Sequence, residues 1–296
     1  MKDGFFFLGI LILFFVVWVA SGGPDRPISF AGPYLNPIYT TGSTAQPYGD
    51  PAKFSSINST VSVGLGGVKV SSEASDARGI VTLSRDTSGA AATDESSEYV
   101  IINVSAAGRE NVSTAGWKLV GKSGDGANFP QGTELARSGR VNPLAAITLR
   151  PGDQAVVTTG RSPVGVSFRE NKCTGYFEEH QDFHPSLSMN CPTPSQEFSN
   201  FYNKDDDNGR CAAHVRSIPY CSTEPAYKSD APSSCDNFVE EFLEYNGCVA
   251  AHQRDADFSL PTWRIFLGQR DELWRRDRET ITLLDAQNRV IDSLSY

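Results

Sequence analysis

Tyr99-Val100-Ile101-Ile102 is the stretch that decides the fold. One aromatic and three β-branched residues stand in a row, which suits a pleated, half-buried surface better than a helix. Working outward, runs of the same kind recur along the chain. Ile80-Val81-Thr82-Leu83 lies upstream; Trp117-Lys118-Leu119 and Ile147-Thr148-Leu149 lie downstream. The second of these leads through the turn Arg150-Pro151-Gly152-Asp153 into Ala155-Val156-Val157. The pattern resumes with Trp263-Arg264-Ile265-Phe266-Leu267 and Thr280-Ile281-Thr282-Leu283-Leu284. It ends in Val290-Ile291 after a turn over residues 285–288. Short strands at this spacing, bounded by turn residues, predict a mainly β domain of the sandwich type.

Composition bounds the rest. The 296 residues carry a net charge of -9 with no basic block, which argues against a nucleic-acid binder driven by phosphate neutralisation. With 39% hydrophobic residues the chain can build a substantial core. Residues 1–23 are set apart by the apolar run Phe5 to Ala20, close to the roughly 17–25 residues a spanning helix needs. Its bulk and Trp18 fit a retained, single-pass membrane anchor. The alternative is a signal peptide cleaved near Val19-Ala20-Ser21, with secretion of the remainder. Either reading puts the rest of the chain outside the cytoplasm. Residues 24–77 are rich in Pro, Gly, Ser and Thr and sparsely charged, and read as a flexible stalk, with a short strand near Val61, Val63 and Leu65.

All six cysteines (Cys173, Cys191, Cys211, Cys221, Cys235 and Cys248) fall in one stretch that interrupts the β pattern, read here as an insert over residues 169–257. No C-x-x-C pair occurs, so zinc knuckles and thioredoxin-like redox motifs are not indicated. In an oxidising compartment the set reads as three structural disulfides. One helix is expected here, over 235–246. Ser233 with Asp236 forms a capping signature, Phe238, Phe242 and Tyr245 are spaced on one face, and Gly247 supplies a stop. Such a helix is roughly 16 Å long, beyond disulfide reach, so Cys235 should not pair with Cys248. That removes three of about fifteen connectivities and leaves the others open.

Gly116-Trp117-Lys118-Leu119-Val120-Gly121-Lys122-Ser123 matches the phosphate-loop pattern letter for letter, and residues 281–285 imitate the strand ending in Asp that accompanies it. The middle residues alternate like a strand, however, and Gly124-Asp125-Gly126 with Pro130 cannot open the helix that phosphate binding needs. No cofactor is expected. His180 and His184 flank Asp182 but precede Pro185 and lack an obvious third ligand. Asp205-Asp206-Asp207-Asn208-Gly209 resembles a calcium loop with Arg216 where the closing carboxylate belongs. No metal is therefore assigned. Asn58, Asn103 and Asn111 head N-x-[ST] triplets.

The order of motifs resembles a lamin-tail domain, the immunoglobulin-like β-sandwich of nuclear lamins and of many bacterial surface proteins. The matching residues are Glu98 to Ile102, Gly116-Trp117-Lys118-Leu119, Phe129-Pro130 with Gly132-Thr133-Glu134-Leu135, Leu149 to Asp153, and Leu284-Asp285 to Asp292. The likeness covers about residues 78–168 and 258–296. It implies a sandwich over 78–296 with Tyr99, Trp117, Phe129 and Trp263 in its core, and it brings no catalytic residues. The long cysteine-rich insert departs from the family pattern and is similar to that of membrane-anchored bacterial members.

The expected function is a non-catalytic binding, adhesion or envelope module, with a purely structural envelope component as one rival. A metal-dependent hydrolase using His180, His184 and neighbouring carboxylates is the other. Between Cys173 and Cys248 there are 13 acidic and 4 basic residues, whereas the other 220 residues hold 22 of each. The acidity belongs to the insert, and its expected partner is a cationic envelope or cell-surface component.

Overall fold

The computed structural model describes residues 64–65, 68–86, 89–90, 92–202, 209–225 and 233–296. The anchor reading of 1–23, most of the stalk, Asn58 and Asp205-Asp206-Asp207 lie outside the described residues. Among those described, no helix is long and apolar enough to cross a membrane.

The protein is mainly β, its sheets forming a curled, sandwich-like arrangement with a few helices. Strands β1 (Gly64–Leu65), β2 (Val68–Lys69), β3 (Ser71–Ala74), β4 (Val81–Ser84), β5 (Tyr99–Val104) and β6 (Val112–Ser113) come first. Then follow β7 (Lys118–Val120), β8 (Gly126–Asn128), β9 (Gln131–Thr133), β10 (Ala145–Ala146), β11 (Thr148–Leu149), β12 (Gln154–Thr158) and β13 (Ser167–Asn171). After a 3-10 turn (Thr174–Glu179), four helices intervene among the described residues: α1 (Pro194–Phe201), α2 (Arg210–Arg216), α3 (Ser233–Phe242) and α4 (Tyr245–His252). Strands β14 (Ser259–Phe266), β15 (Thr280–Leu284) and β16 (Arg289–Ser295) close the chain.

Besides the two-stranded sheets β1-β2 and β11-β6, a seven-stranded sheet has the order β10-β9-β13-β14-β12-β5-β4 and a five-stranded sheet the order β3-β16-β15-β7-β8. Their facing sides bury Val100, Ile102, Val157 and Ile265 from the larger sheet and Leu119, Ile281, Leu283 and Ile291 from the smaller, all 1% exposed or less. Each such side chain contributes on the order of 1.5–3 kcal/mol. Trp117 and Trp263 are buried in the same cluster, Trp117 meeting Phe129 edge-to-face at 5.8 Å; Tyr99 is buried as well. The phosphate-loop look-alike is a strand and a turn. β7 pairs with β8 and with β15, and Gly121 donates to the Asp125 carbonyl to close the hairpin.

Several expectations are corrected. The insert does not begin at 169, because Arg169, Glu170 and Asn171 continue β13, paired with β14. It runs from 172 to 258, and the Lys172 amide donates to the Phe258 carbonyl across its base. Residues 68–77 belong to the fold rather than to the end of a stalk. β3 pairs with β16, and Val70 packs on Val120 and Leu284. Alternating valines thus outweigh the linker-like composition. The single helix over 235–246 is two, broken where Glu244 adopts an extended backbone before α4. Gly247 is no stop; it lies inside α4, where an added Cβ would stand 2.0 Å from the Glu241 carbonyl oxygen. Only glycine lets the two helices meet that closely.

The insert therefore leaves the sheet between adjacent antiparallel strands and folds back over it. Trp263 and Ile265 of β14 face the sandwich core, while Arg264 and Phe266 face the insert. Coverage on both faces explains why β13 is buried at every position instead of alternating.

Candidate functional site

The insert forms a lobe with two small cores of its own. The first joins it to the sheet: Phe168 packs edge-to-face on Phe177 and Phe183, and Phe177 lies tilted over Tyr245 at 4.1 Å. The second lies among the helices, where Cys211, Val215, Cys235, Phe238 and Leu243 are buried together. Cores of this size are marginal without cross-links. Three disulfides supply them: Cys173–Cys248, Cys191–Cys221 and Cys211–Cys235, with Cα separations of 5.8, 5.4 and 5.5 Å. They close loops of 75, 30 and 24 residues, worth roughly 3–4.5 kcal/mol each on a chain-entropy account. Gly175 nests against the second bridge, for an added Cβ would stand 2.3 Å from the Cys221 sulfur.

Polar clasps fix the lobe to the sheet. The Arg264 guanidinium donates to a Glu170 carboxylate oxygen and to the carbonyls of Pro185 and Ser186, pinning that loop over β14. Beside it Arg169 makes two bonds to Asp153, at 2.9 and 3.0 Å, within the sheet. Tyr245 donates to the Ala136 carbonyl at 2.6 Å, tying α4 to the sandwich. Burial pushes its hydroxyl up to about 12, against the Asn171 hydrogen bond and the Arg137 charge.

A third clasp joins α1, α4 and the lobe's root. Lys172 Nζ reaches Asp255 at 3.0 Å and Asp257 at 2.7 Å; His252 Nδ1 meets Asp255 at 2.8 Å and Nε2 meets Glu197 at 2.9 Å. Burial works against a charged imidazole, but hydrogen bonds to Glu197 and Asp255 prevail and raise the His252 pKa. The His252 bond and that of Lys172 hold Asp255 below the usual carboxylate value. Tyr176 is raised by burial and by the charges of Glu197 and Glu179. A carboxylate occupies each imidazole nitrogen, so His252 has none left to take a proton from a substrate. The arrangement is a charged strut.

The lobe's acidic residues divide into two groups. Glu197 is buried, and Glu179 accepts bonds from Ser222, Thr223 and Glu224. These serve the interior. Asp236, Glu240 and Glu241 of α3 are exposed, as are Asp182 and Glu224. This second group is what the lobe offers to a partner.

His180 and His184 are both exposed. Among the described residues no group of three or more His, Cys, Asp or Glu side chains could hold a metal ion. Asn103 bonds to Ser84 and Gln154 within the sheet, whereas Asn111 is exposed on the rim of a cavity of about 480 Å³ floored by Trp117. Sequence reasoning missed Lys172, Glu197, His252 and Asp255. Glu197 and His252 are 55 residues apart and carry no shared motif.

The fold and site define a class: a β-sandwich that carries a disulfide-stapled helical lobe between two neighbouring strands. No protein-family model matches the chain, and neither a curated protein nor a solved structure is significantly similar to it.

Proposed function

We propose that this chain is a membrane-tethered, extracytoplasmic module of the lamin-tail type that binds a cationic envelope or cell-surface component through its lobe and performs no catalysis. The observation that carries the reading is the exposed row Asp236, Glu240 and Glu241 on a helix that Cys211–Cys235 locks in place. Charges on a preorganised helix lose little entropy on binding and steer a cationic partner toward one face. Three disulfides suit an oxidising compartment, and the apolar run over residues 5–20 suits the tether. The buried Trp117 agrees with the lamin-tail resemblance, and the doubly engaged His252 agrees with a non-catalytic role.

The test is titration of the full chain with a decalysine peptide at low and high salt. Binding should weaken with salt and fall about tenfold in D236N/E240Q/E241Q, whose three positions are all exposed. Equal binding by the variant would remove α3 as the recognition face.

A further inference from the structure

A second surface carries the opposite charge. Two cavities, of about 500 and 470 Å³, share Val166 as a wall beside β9 and the edge strand β10. Among the described residues, the only charged ones lining either are Arg137 and Arg140 in the first and Arg161 in the second. All three are exposed, and among the described residues none has an ion-pair partner, unlike neighbouring Arg150, which meets Glu134. In a chain of net charge -9, a concave surface with only positive charge is out of character.

The walls of the first cavity are mixed, polar groups slightly outweighing apolar ones, whereas those of the second are mainly apolar. Val164 and Val166 face Phe177 of the lobe, and Val141 and Leu144 stand at the rims, 97% and 53% exposed. The loop that presents the first two arginines is held in shape at both ends. The Arg137 amide donates to Asn142 Oδ1 at 2.7 Å and the Asn142 amide returns a bond to the Arg137 carbonyl, while Tyr245 holds the Ala136 carbonyl. The first cavity is therefore preformed, of ligand size, and bordered by forked donors that match a planar or tetrahedral oxyanion. The acidic lobe beside the site repels a long polyanion more strongly than a single anionic group.

We propose that this cavity binds a small anionic group, a carboxylate or a phosphate, borne on a body with an apolar face. Arg137 and Arg140 hold the anion, and Val164, Val166 and Phe177 receive the body.

The full chain is titrated with benzoate and, separately, with inorganic phosphate, followed by the amide shifts of Gly139 and Gly165. Saturable shifts at roughly millimolar probe are expected in at least one arm. The stronger arm identifies the anion. R137A/R140A should weaken the binding about tenfold or more, since it removes two charge-assisted donors. R150A should leave it unchanged. A matching melting temperature shows that the double variant is folded. The proposal is overturned if neither probe saturates, or if R137A/R140A binds as the native chain does. This outcome is independent of decalysine binding at α3, so the two readings fail separately.

Discussion

The sandwich and the lobe are built from one chain by different physics. In the sandwich, two sheets press aliphatic side chains together, and no covalent cross-link is present among the described residues. The lobe has short helices, two small aromatic cores, three disulfides and charged clasps. Burial rises with the size of a unit, so the larger unit is held by area and the smaller needs staples. The difference also assigns roles. The region stabilised by cross-links can expose charge on its surface, because its shape does not depend on an apolar one.

Reduction should break this comparison most sharply. With all three bridges opened, the lobe loses roughly 3–4.5 kcal/mol per bridge and its helices should lose protection from hydrogen exchange while β5, β12 and β15 keep theirs. Simultaneous loss of protection in both regions would show that they are one cooperative unit. Next in size is the joint between them. Arg264→Met leaves Glu170 buried without its partner and should cost about 3–5 kcal/mol, whereas R264M/E170L should recover most of that. Thermal melts of the single and double variants decide the point.

The smallest expected effect is the pH response of the His252 strut. Its pKa is raised in the folded chain, so its contribution is complete below the ordinary histidine value of 6.5 and lost as pH rises through the folded pKa. Asp255 is lowered, so its contribution is present above 3.8 and lost as pH falls through its folded pKa. Lobe protection should therefore be greatest between about pH 4 and 6.5 and decline above that window. His252→Gln should flatten the decline. An unchanged slope in the variant would assign it to another group.

Legibility followed the range of the interactions. Longer strands such as Tyr99–Val104 and Gln154–Thr158 announce themselves, because β-branched side chains report a local preference. Val112–Ser113 and Ala145–Ala146 are too short to show a period, and they exist because a neighbour supplies the hydrogen bonds. Leu243 and Glu244 read as helix interior, yet Leu243 is fully buried at the elbow between α3 and α4. The arginines of the cavity share no motif, and only the loop over residues 137–142 places them around one hollow.

By itself the sequence determined the β character, the presence of a distinct cysteine-rich segment and the concentration of acid there. Composition and short-range pattern suffice for each. Tertiary structure alone decided which cysteines pair, that the lobe covers the outer face of β13 and β14, and that His252 lies between Glu197 and Asp255. It also decided which acidic residues turn inward. Those outcomes depend on contacts between residues tens of positions apart, which form only when the whole chain finds one low-energy packing.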